Sequence, residues 1–373
     1  MGRIVVTGAS GFVGQNLVLA LEARSEHEVL SVGRDTPWAT LDGLQADHII
    51  HLAGANRPPT EDQFETDNVI FAKEILSRIR PSRPGATFHY ASTIQINRGD
   101  FYGESKKAGE ALVAQTAPEA GWAAAIWRLP NLFGKWGRPN YNSFVATFMD
   151  QAARGHKFSI NDPNAPVALL YIDDLIDMFL KEISQDGMLG VRIIDNFPTS
   201  QTTVGEVANL IESFQRNRDQ TFTPDVGTAL CKQLHATFLS FLDQPGRVFR
   251  PKGFFSDTGS FCELYKGTNF GQVSVLTIAP GESRGNHYHH TKVENFHLAS
   301  GRVALIESDA RGGTEIHRTI SAGESFWTRP GWVHTLQNSG NTPAVLVIWA
   351  NEIFDHDHPD TFKLKKPRSV GPK

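Results

Sequence analysis

The stretch GNHYHHTKVENFH, residues 285–297, places four histidines and a glutamate within thirteen positions. Side chains alternate along a β-strand, so residues i and i+2 share a face. On that rule His287 and His289 point together and His290 points away. In the strand that follows, Glu294 shares its face with Phe296 and Leu298, and His297 lies opposite. Further on, WVHTLQN puts His334 on the face of Leu336 and Asn338. Strand parity therefore selects His287, His289, Glu294 and His334 as a convergent set and leaves His290 and His297 outside it. Three imidazoles and a carboxylate suit a borderline divalent ion such as Zn, Fe, Ni or Mn, with room for a substrate oxygen or water. Zinc is the expected ion. The alternative is a metal-free site whose histidines act as bases or simply pack.

A second constellation lies in YGESK, where Tyr102 and Lys106 are one helical turn apart on one face. An ammonium beside a phenol lowers its pKa, so that the phenol can give or take the proton that accompanies hydride transfer. The opening TGASGFVG sets Gly8, Gly11 and Gly14 between a strand and a helix, where backbone N–H groups and the helix N-terminus can meet a pyrophosphate. The second strand ends SVGRD. Gly33 stands where an acidic residue would accept a ribose 2′-hydroxyl, and Arg34 follows, which suits a 2′-phosphate and favours NADPH. Asp35 keeps NAD as the alternative.

These residues need particular elements beneath them. RIVVTG, HEVLSVG, HIIHLAG, ATFHYAS and WAAAIWRLPN read as strands alternating with helical patterns, the first helix being FVGQNLVLALEA. That rhythm predicts a doubly wound parallel sheet of the Rossmann type. The interval from Arg34 to Asp47 is too short for a full strand–helix unit, so one crossover is trimmed. Residues 196–245 read as mostly helical, with TTVGEVANLIESFQ opening on a capping signal. After DQPG the texture changes to short alternating strands, an antiparallel sandwich or barrel. The expected domains are residues 1–245 and 246–373.

The formal net charge of −4, without a basic block, argues against nucleic acid or a membrane surface as partner. KLKKPR at 363–368 reads as a solvated tail. Two cysteines, Cys231 and Cys262, indicate no disulfide framework. A strand beginning at Arg3 leaves no room for a signal peptide, and no apolar run approaches the ~20 residues that span a bilayer. The expectation is a soluble, cytoplasmic protein.

TGASGFVG, HLAGANR, YASTIQI and YGESK together resemble the extended short-chain dehydrogenase/reductase family over roughly residues 1–240. The resemblance implies that Tyr102 is the acid/base, that Thr93 or its neighbour Ser92 hydrogen-bonds the reacting oxygen, and that Lys106 tunes Tyr102 and binds the nicotinamide ribose. It also implies that Gly8, Ser10, Gly11, Phe12, Gly14, Arg34, His51, Leu52, Ala53, Gly54 and Pro130 line the cofactor. Asn131, Arg138, Asn140 and Ser143, in RLPNLFG and GRPNYNS, would meet a sugar nucleotide. Only nine positions separate Thr93 from Tyr102, far fewer than in most relatives.

The second half resembles the cupin family, a jelly-roll β-barrel. Gly281, His287, His289, Glu294 and Gly301 match its first motif, and Gly323, Gly331, His334 and Asn338 its second, with Arg329 where a proline is usual. A reductase followed by a cupin resembles the CapF family of capsular polysaccharide biosynthesis enzymes, on HLAGANRP, RLPNLFGKWGRPNYNS, YIDD, GNHYHHTKVE and NEIF. That resemblance implies a bifunctional, homodimeric enzyme acting on a UDP-linked 2-acetamido-2,6-dideoxy-4-keto hexose. The cupin would invert C3, with His290 one candidate base, and the reductase would reduce C4 with NADPH on the route to N-acetyl-L-fucosamine. A reductase whose cupin is only a structural or oligomerisation module is the alternative.

Overall fold

The computed structural model describes residues 2–24, 26–33, 35–185, 189–218 and 221–363. Arg34 and all of KLKKPR except Lys363 lie outside them. The chain forms two compact units, Met1–Glu212 with Gln233–Asp243 and Ser213–Lys232 with Gln244–Lys373. Residues 213–232, expected in the first domain, group with the second because their extended part joins its strands. Thr223 N–H donates to Lys266 O and Lys266 N–H to Thr221 O, both at 2.9 Å.

The first unit is built on a six-stranded sheet, ordered Val191–Ile194, Ala123–Leu129, Thr87–Thr93, His48–His51, Gly2–Thr7, His27–Val32. All five pairings are parallel. Alternate side chains feed two cores. Ile4 and Val6 pack with Leu17, Leu21 and Phe179 from helices on one face, whereas Val5 packs with Ile75 and Val113 from helices on the other. This is the doubly wound arrangement predicted from the apolar runs. The trimmed crossover is also present: among the described residues only a 3-10 turn, Trp38–Thr40, and a two-residue strand, Gln45–Ala46, lie between His27–Val32 and His48–His51.

The expected strand 122–131 is divided. Ala123–Leu129 belongs to the large sheet, but Asn131–Phe133 pairs with Pro166–Tyr171 in a separate three-stranded sheet. Pro130 marks the break, since it has no N–H to continue a ladder. The helix Val204–Asn217 opens on a reciprocal capping box: Glu206 N–H donates to Thr203 Oγ1 at 3.2 Å, and Thr203 N–H to Glu206 Oε2 at 3.0 Å.

The second unit contains two antiparallel sheets. One holds Gly253–Ser256, Gly259–Gly267, Gly271–Ile278, Ala344–Ala350, Glu294–Ser300 and Ser325–Trp327. The other holds Ser283–His287, Trp332–Asn338, Arg302–Asp309 and Ile316–Ser321. Leu276, Phe296, Leu298 and Leu346 from the first meet Val303, Leu305, Ile320 and Leu336 from the second in one core. No helix among the described residues is long and apolar enough to cross a membrane.

Candidate functional site

In the first unit the strand order reverses between Gly2–Thr7 and His48–His51, and ligands of open parallel sheets bind at the carboxyl ends of such strands. Gly8 and Gly14 close the turn there. Gly8 has φ +69° and a Cβ on it would lie 2.7 Å from Ala53 N, while a Cβ on Gly14 would lie 2.2 Å from Gly8 O. The helix Phe12–Glu22 starts at Gly11 without a side-chain cap, so its first N–H groups remain available to an anion. Ser10, Gly11 and Gly54 are exposed, and Phe12, Leu52, Ala53 and Pro130 half-buried. His51 is fully buried beside Phe71, Phe88 and Tyr90, with Nδ1 3.0 Å from Thr7 Oγ1, so its ring packs within the sheet.

Thr93 ends its strand, and a short loop leads to Asp100, which caps the helix Phe101–Glu119 by accepting from Gly103 N–H at 2.8 Å. Tyr102 therefore sits in the first helical turn, where the Thr93 side chain is near enough to favour its ionisation. The nine-residue spacing is thus enough to bring them together. Ser92 is committed elsewhere: its Oγ donates to Glu110 Oε1 at 2.5 Å, and Arg128 Nη2 donates to Glu110 Oε2 at 2.7 Å. Lys106 is buried, donates to Ala91 O at 2.9 Å and lies 5.2 Å from the centre of the Tyr90 ring.

Burial pushes the Tyr102 phenol up to about 12, against the influence of Thr93, and Lys106 is not among the groups that move it. Burial also brings Lys106 down to about 8, with the charge of Glu110 opposing. At neutral pH Tyr102 thus holds its proton. Beneath this pair Asn68 fixes the loop after His51, accepting from Ala55 N–H at 3.0 Å and donating to Ala55 O at 3.1 Å and to Ser105 Oγ at 3.0 Å. It sits in a π-helical turn, Thr66–Ile70, an irregularity that often accompanies functional sites. The expected sugar-nucleotide residues occupy the following loop. Arg138 lies 4.9 Å from the centre of the Tyr141 ring, Asn140 adopts φ 55°, and Asn131 is half-buried. Ser143 caps the helix Phe144–Ala153 by accepting from Ala146 N–H at 3.3 Å.

In the second unit the donor atoms of His287, His289, Glu294 and His334 all lie within 4.8 Å of one another. His287 ends Ser283–His287 and is paired in register with His334 of Trp332–Asn338, and Glu294 opens Glu294–Ser300. Strand alternation does not explain His289. The ladder shifts register between Gly285 and His287, Asn286 has φ 58°, and the strand ends before His289. The backbone of Tyr288 instead exchanges two hydrogen bonds with Phe362, each 2.9 Å. Asp360 takes the N–H groups of His290, Thr291 and Lys292, the last at 2.7 Å. These contacts turn His289 inward.

His289 Nδ1 donates to the Asp360 carbonyl, which can only accept, and its Nε2 faces Glu294 Oε2 at 3.3 Å. Lys292 Nζ holds the other carboxylate oxygen at 3.0 Å. Burial opposes ionisation of Glu294, but His289, Lys292 and His334 outweigh it and hold the carboxyl at about 2. Burial lowers His287 and brings His334 down to about 4, so both imidazoles are neutral and have a lone pair to give. Both ring nitrogens of His334 are buried without a hydrogen-bond partner. A divalent ion fits this set, because it would engage an otherwise orphaned imidazole. His287, Lys292 and Glu294 form part of the wall of a cavity of about 270 Å³, with Glu263 and His356 further round it. His290 and His297 are exposed and outside that wall, His290 against Tyr288 and Phe362.

Glu110, Asn68, Lys292 and Asp360 were not expected from sequence. Glu110 alone had a legible signal, since it continues the helical stripe of Tyr102 and Lys106.

Fold and geometry together define a doubly wound, nucleotide-binding type of enzyme core, and the comparisons add that it acts on sugar nucleotides. Residues 4–193 match the NAD dependent epimerase/dehydratase family, and residues 255–362 the polysaccharide biosynthesis C-terminal domain. The UDP-2-acetamido-2,6-beta-L-arabino-hexul-4-ose reductase of Pseudomonas aeruginosa is 36% identical, covering 96% of this chain and 98% of its own. The crystal structure of the capsular polysaccharide assembling protein CapF from Staphylococcus aureus superposes with TM-score 0.85 at 34% identity, covering 97% of this chain and 99% of its own. RMD from Pseudomonas aeruginosa, complexed with NADPH, shares the fold of the first unit at 19% identity and TM-score 0.53, covering 65% of this chain and 100% of its own. The chain belongs to the CapF-type enzymes of the NAD dependent epimerase/dehydratase family.

Proposed function

We propose that the chain is a bifunctional sugar-nucleotide enzyme. Its second unit, a zinc-binding cupin barrel, inverts C3 of a UDP-linked 2-acetamido-2,6-dideoxy-4-keto hexose. Its first unit then reduces the C4 ketone with NADPH, giving the 6-deoxy-L-talose product on the route to UDP-N-acetyl-L-fucosamine, and the working form is a cytoplasmic homodimer. The observation that carries this reading is the convergence of the donor atoms of His287, His289, Glu294 and His334, two of which, His287 and Glu294, line a cavity, in the same chain as Thr93 and Tyr102. The name of the Pseudomonas aeruginosa relative supports the substrate class. Arg34 after Gly33 supports NADPH.

A divalent ion on these four donors would polarise the C4 carbonyl, and that polarisation is what makes the C3 proton acidic. Lys292 fixes the Glu294 carboxylate and adds positive charge to the same wall. Glu263, Glu352 and His356 are the other titratable side chains on that wall available for proton transfer, in place of the exposed His290. Bound in the first unit, NADPH would supply the hydride. Tyr102, protonated at neutral pH, gives its proton to the C4 oxygen, and Thr93 orients both. A free 4-keto sugar is configurationally labile, so reduction in the same protein locks the inverted centre.

Proton NMR of the 4-keto substrate in deuterated water, with and without NADPH, tests the scheme. Tyr102→Phe is expected to abolish NADPH oxidation and keep deuterium uptake at C3, and His287→Ala to stop the uptake. Reduction of the unepimerised ketone at full rate by His287→Ala would overturn the order of steps.

A further inference from the structure

Tyr102, Lys106 and Glu110 follow one another at four-residue intervals along the helix Phe101–Glu119, so they stack on one stripe. Glu110 is only 7% exposed. Burying a carboxylate is costly unless it is paired, and an apolar side chain could fill the same space. Here it is fully engaged, by Ser92 at 2.5 Å and by Arg128 at 2.7 and 3.1 Å. The packing alone gives no reason for a charge at this place. Lys106 supplies one. It is buried, and its hydrogen bond goes to an uncharged carbonyl, Ala91 O. The titratable groups that face it are Tyr90 from the strand Thr87–Thr93, His51 from the strand His48–His51, and Tyr102 and Glu110 from its own helix. Glu110 is the carboxylate among them.

We propose that Glu110 is a positioning residue of the reductase centre: its carboxylate holds Lys106 as the ammonium and keeps Ser92 turned away from Tyr102. The inference rests on the assignment of Tyr102 and Lys106 as the reductase pair. Glu110 touches neither substrate nor cofactor and acts through those two side chains. Its bond to Ser92 leaves Thr93 as the hydroxyl that faces Tyr102, and its charge offsets the burial that draws Lys106 toward neutrality.

The test uses the full chain with 13C-labelled lysine, the Lys106 resonance being assigned by its loss in Lys106→Met. Glu110→Gln keeps the shape and the hydrogen-bond acceptor but removes the charge and leaves Arg128 in place. The midpoint of the Lys106 titration is then expected to fall by about one pH unit or more, the scale on which a neighbouring charge acts. The alkaline limb of NADPH oxidation is expected to fall with it, and Glu110→Asp to restore both. A folded Glu110→Gln protein with an unchanged midpoint overturns the proposal. If Glu110→Gln does not fold, Arg128→Gln decides. Removing that guanidinium leaves the carboxylate less neutralised, so the midpoint must rise, and a fixed midpoint overturns the proposal. Lys106→Met separates the underlying assignment: if it reduces the ketone at the wild-type rate, the reductase pair is wrong whatever Glu110 does.

Discussion

Ser92 Oγ donates to the Glu110 carboxylate at 2.5 Å, and this bond removes Ser92 from the neighbourhood of the Tyr102 phenol. Two adjacent hydroxyls that are equivalent in the sequence are therefore unequal in the fold. Thr93→Ala takes away the hydroxyl that faces the reacting phenol, and kcat for ketone reduction is expected to fall about a hundredfold, the lower end of what such a donor supplies. Ser92→Ala leaves Glu110 one donor short, so it is expected to cost about 1–3 kcal/mol of stability and to change kcat by less than about tenfold. Steady-state NADPH oxidation and urea unfolding measure the two effects. A larger kcat loss in Ser92→Ala than in Thr93→Ala would reverse the assignment.

The four-donor cluster predicts a clean division among the histidines. His287→Ala, His289→Ala and His334→Ala each remove a donor atom from a set contained within 4.8 Å, and bound divalent metal by elemental analysis should fall below one ion in ten chains. His290→Ala and His297→Ala should keep a full complement, because both rings are exposed and outside the cluster. Equal metal loss in all five variants would mean that the ion binds elsewhere.

What could be read in advance was local. Ile4 to Val6 announced a strand buried on both faces, and Gly8 to Gly14 a turn into a helix, because both depend on near neighbours in the chain. His334 was legible for the same reason, from the alternation of WVHTLQN. His289 was chosen by that rule, yet the strand stops short of it and a carboxylate some seventy residues later aims it. No period in the sequence encodes such a contact. His51 was read from its motif as a cofactor residue, and the packing of Phe71, Phe88 and Tyr90 around its ring was not legible there.

Asp360 offers a direct test of that remote control. Burial is the largest single influence on its carboxylate and pushes the pKa up, but the N–H groups of His290, Thr291 and Lys292 and the Thr291 hydroxyl together outweigh it and hold the pKa well below the usual range. Asp360→Ala frees the segment that carries His289. Outer contacts of this type are worth about 10- to 100-fold in metal affinity, so a loss in that range is expected by competition with a chelating dye. Unchanged affinity would show that the turn holds itself.

The stability of the first unit should depend on pH through a buried histidine chain. Trp127 Nε1 can only donate, and it lies 3.2 Å from His89 Nδ1, so that nitrogen accepts. Neutral His89 therefore carries its proton on Nε2 and donates it to His48 Nδ1, also at 3.2 Å. A second proton on His89 would face the indole N–H. Burial pushes His89 well below its ordinary value, with His48 adding to the effect, and burial with Arg83 brings His48 down to about 4. Because both folded values lie below the unfolded one near 6.5, the unfolded chain binds more protons in between. The stabilisation is complete above about pH 6.5 and is lost as pH falls toward 4, at about 1.4 kcal/mol per pH unit for each histidine. His48→Asn can still accept from His89 but does not titrate. Its urea midpoint should fall less steeply than that of the wild type between pH 7 and pH 5, and parallel slopes would remove His48 from the account.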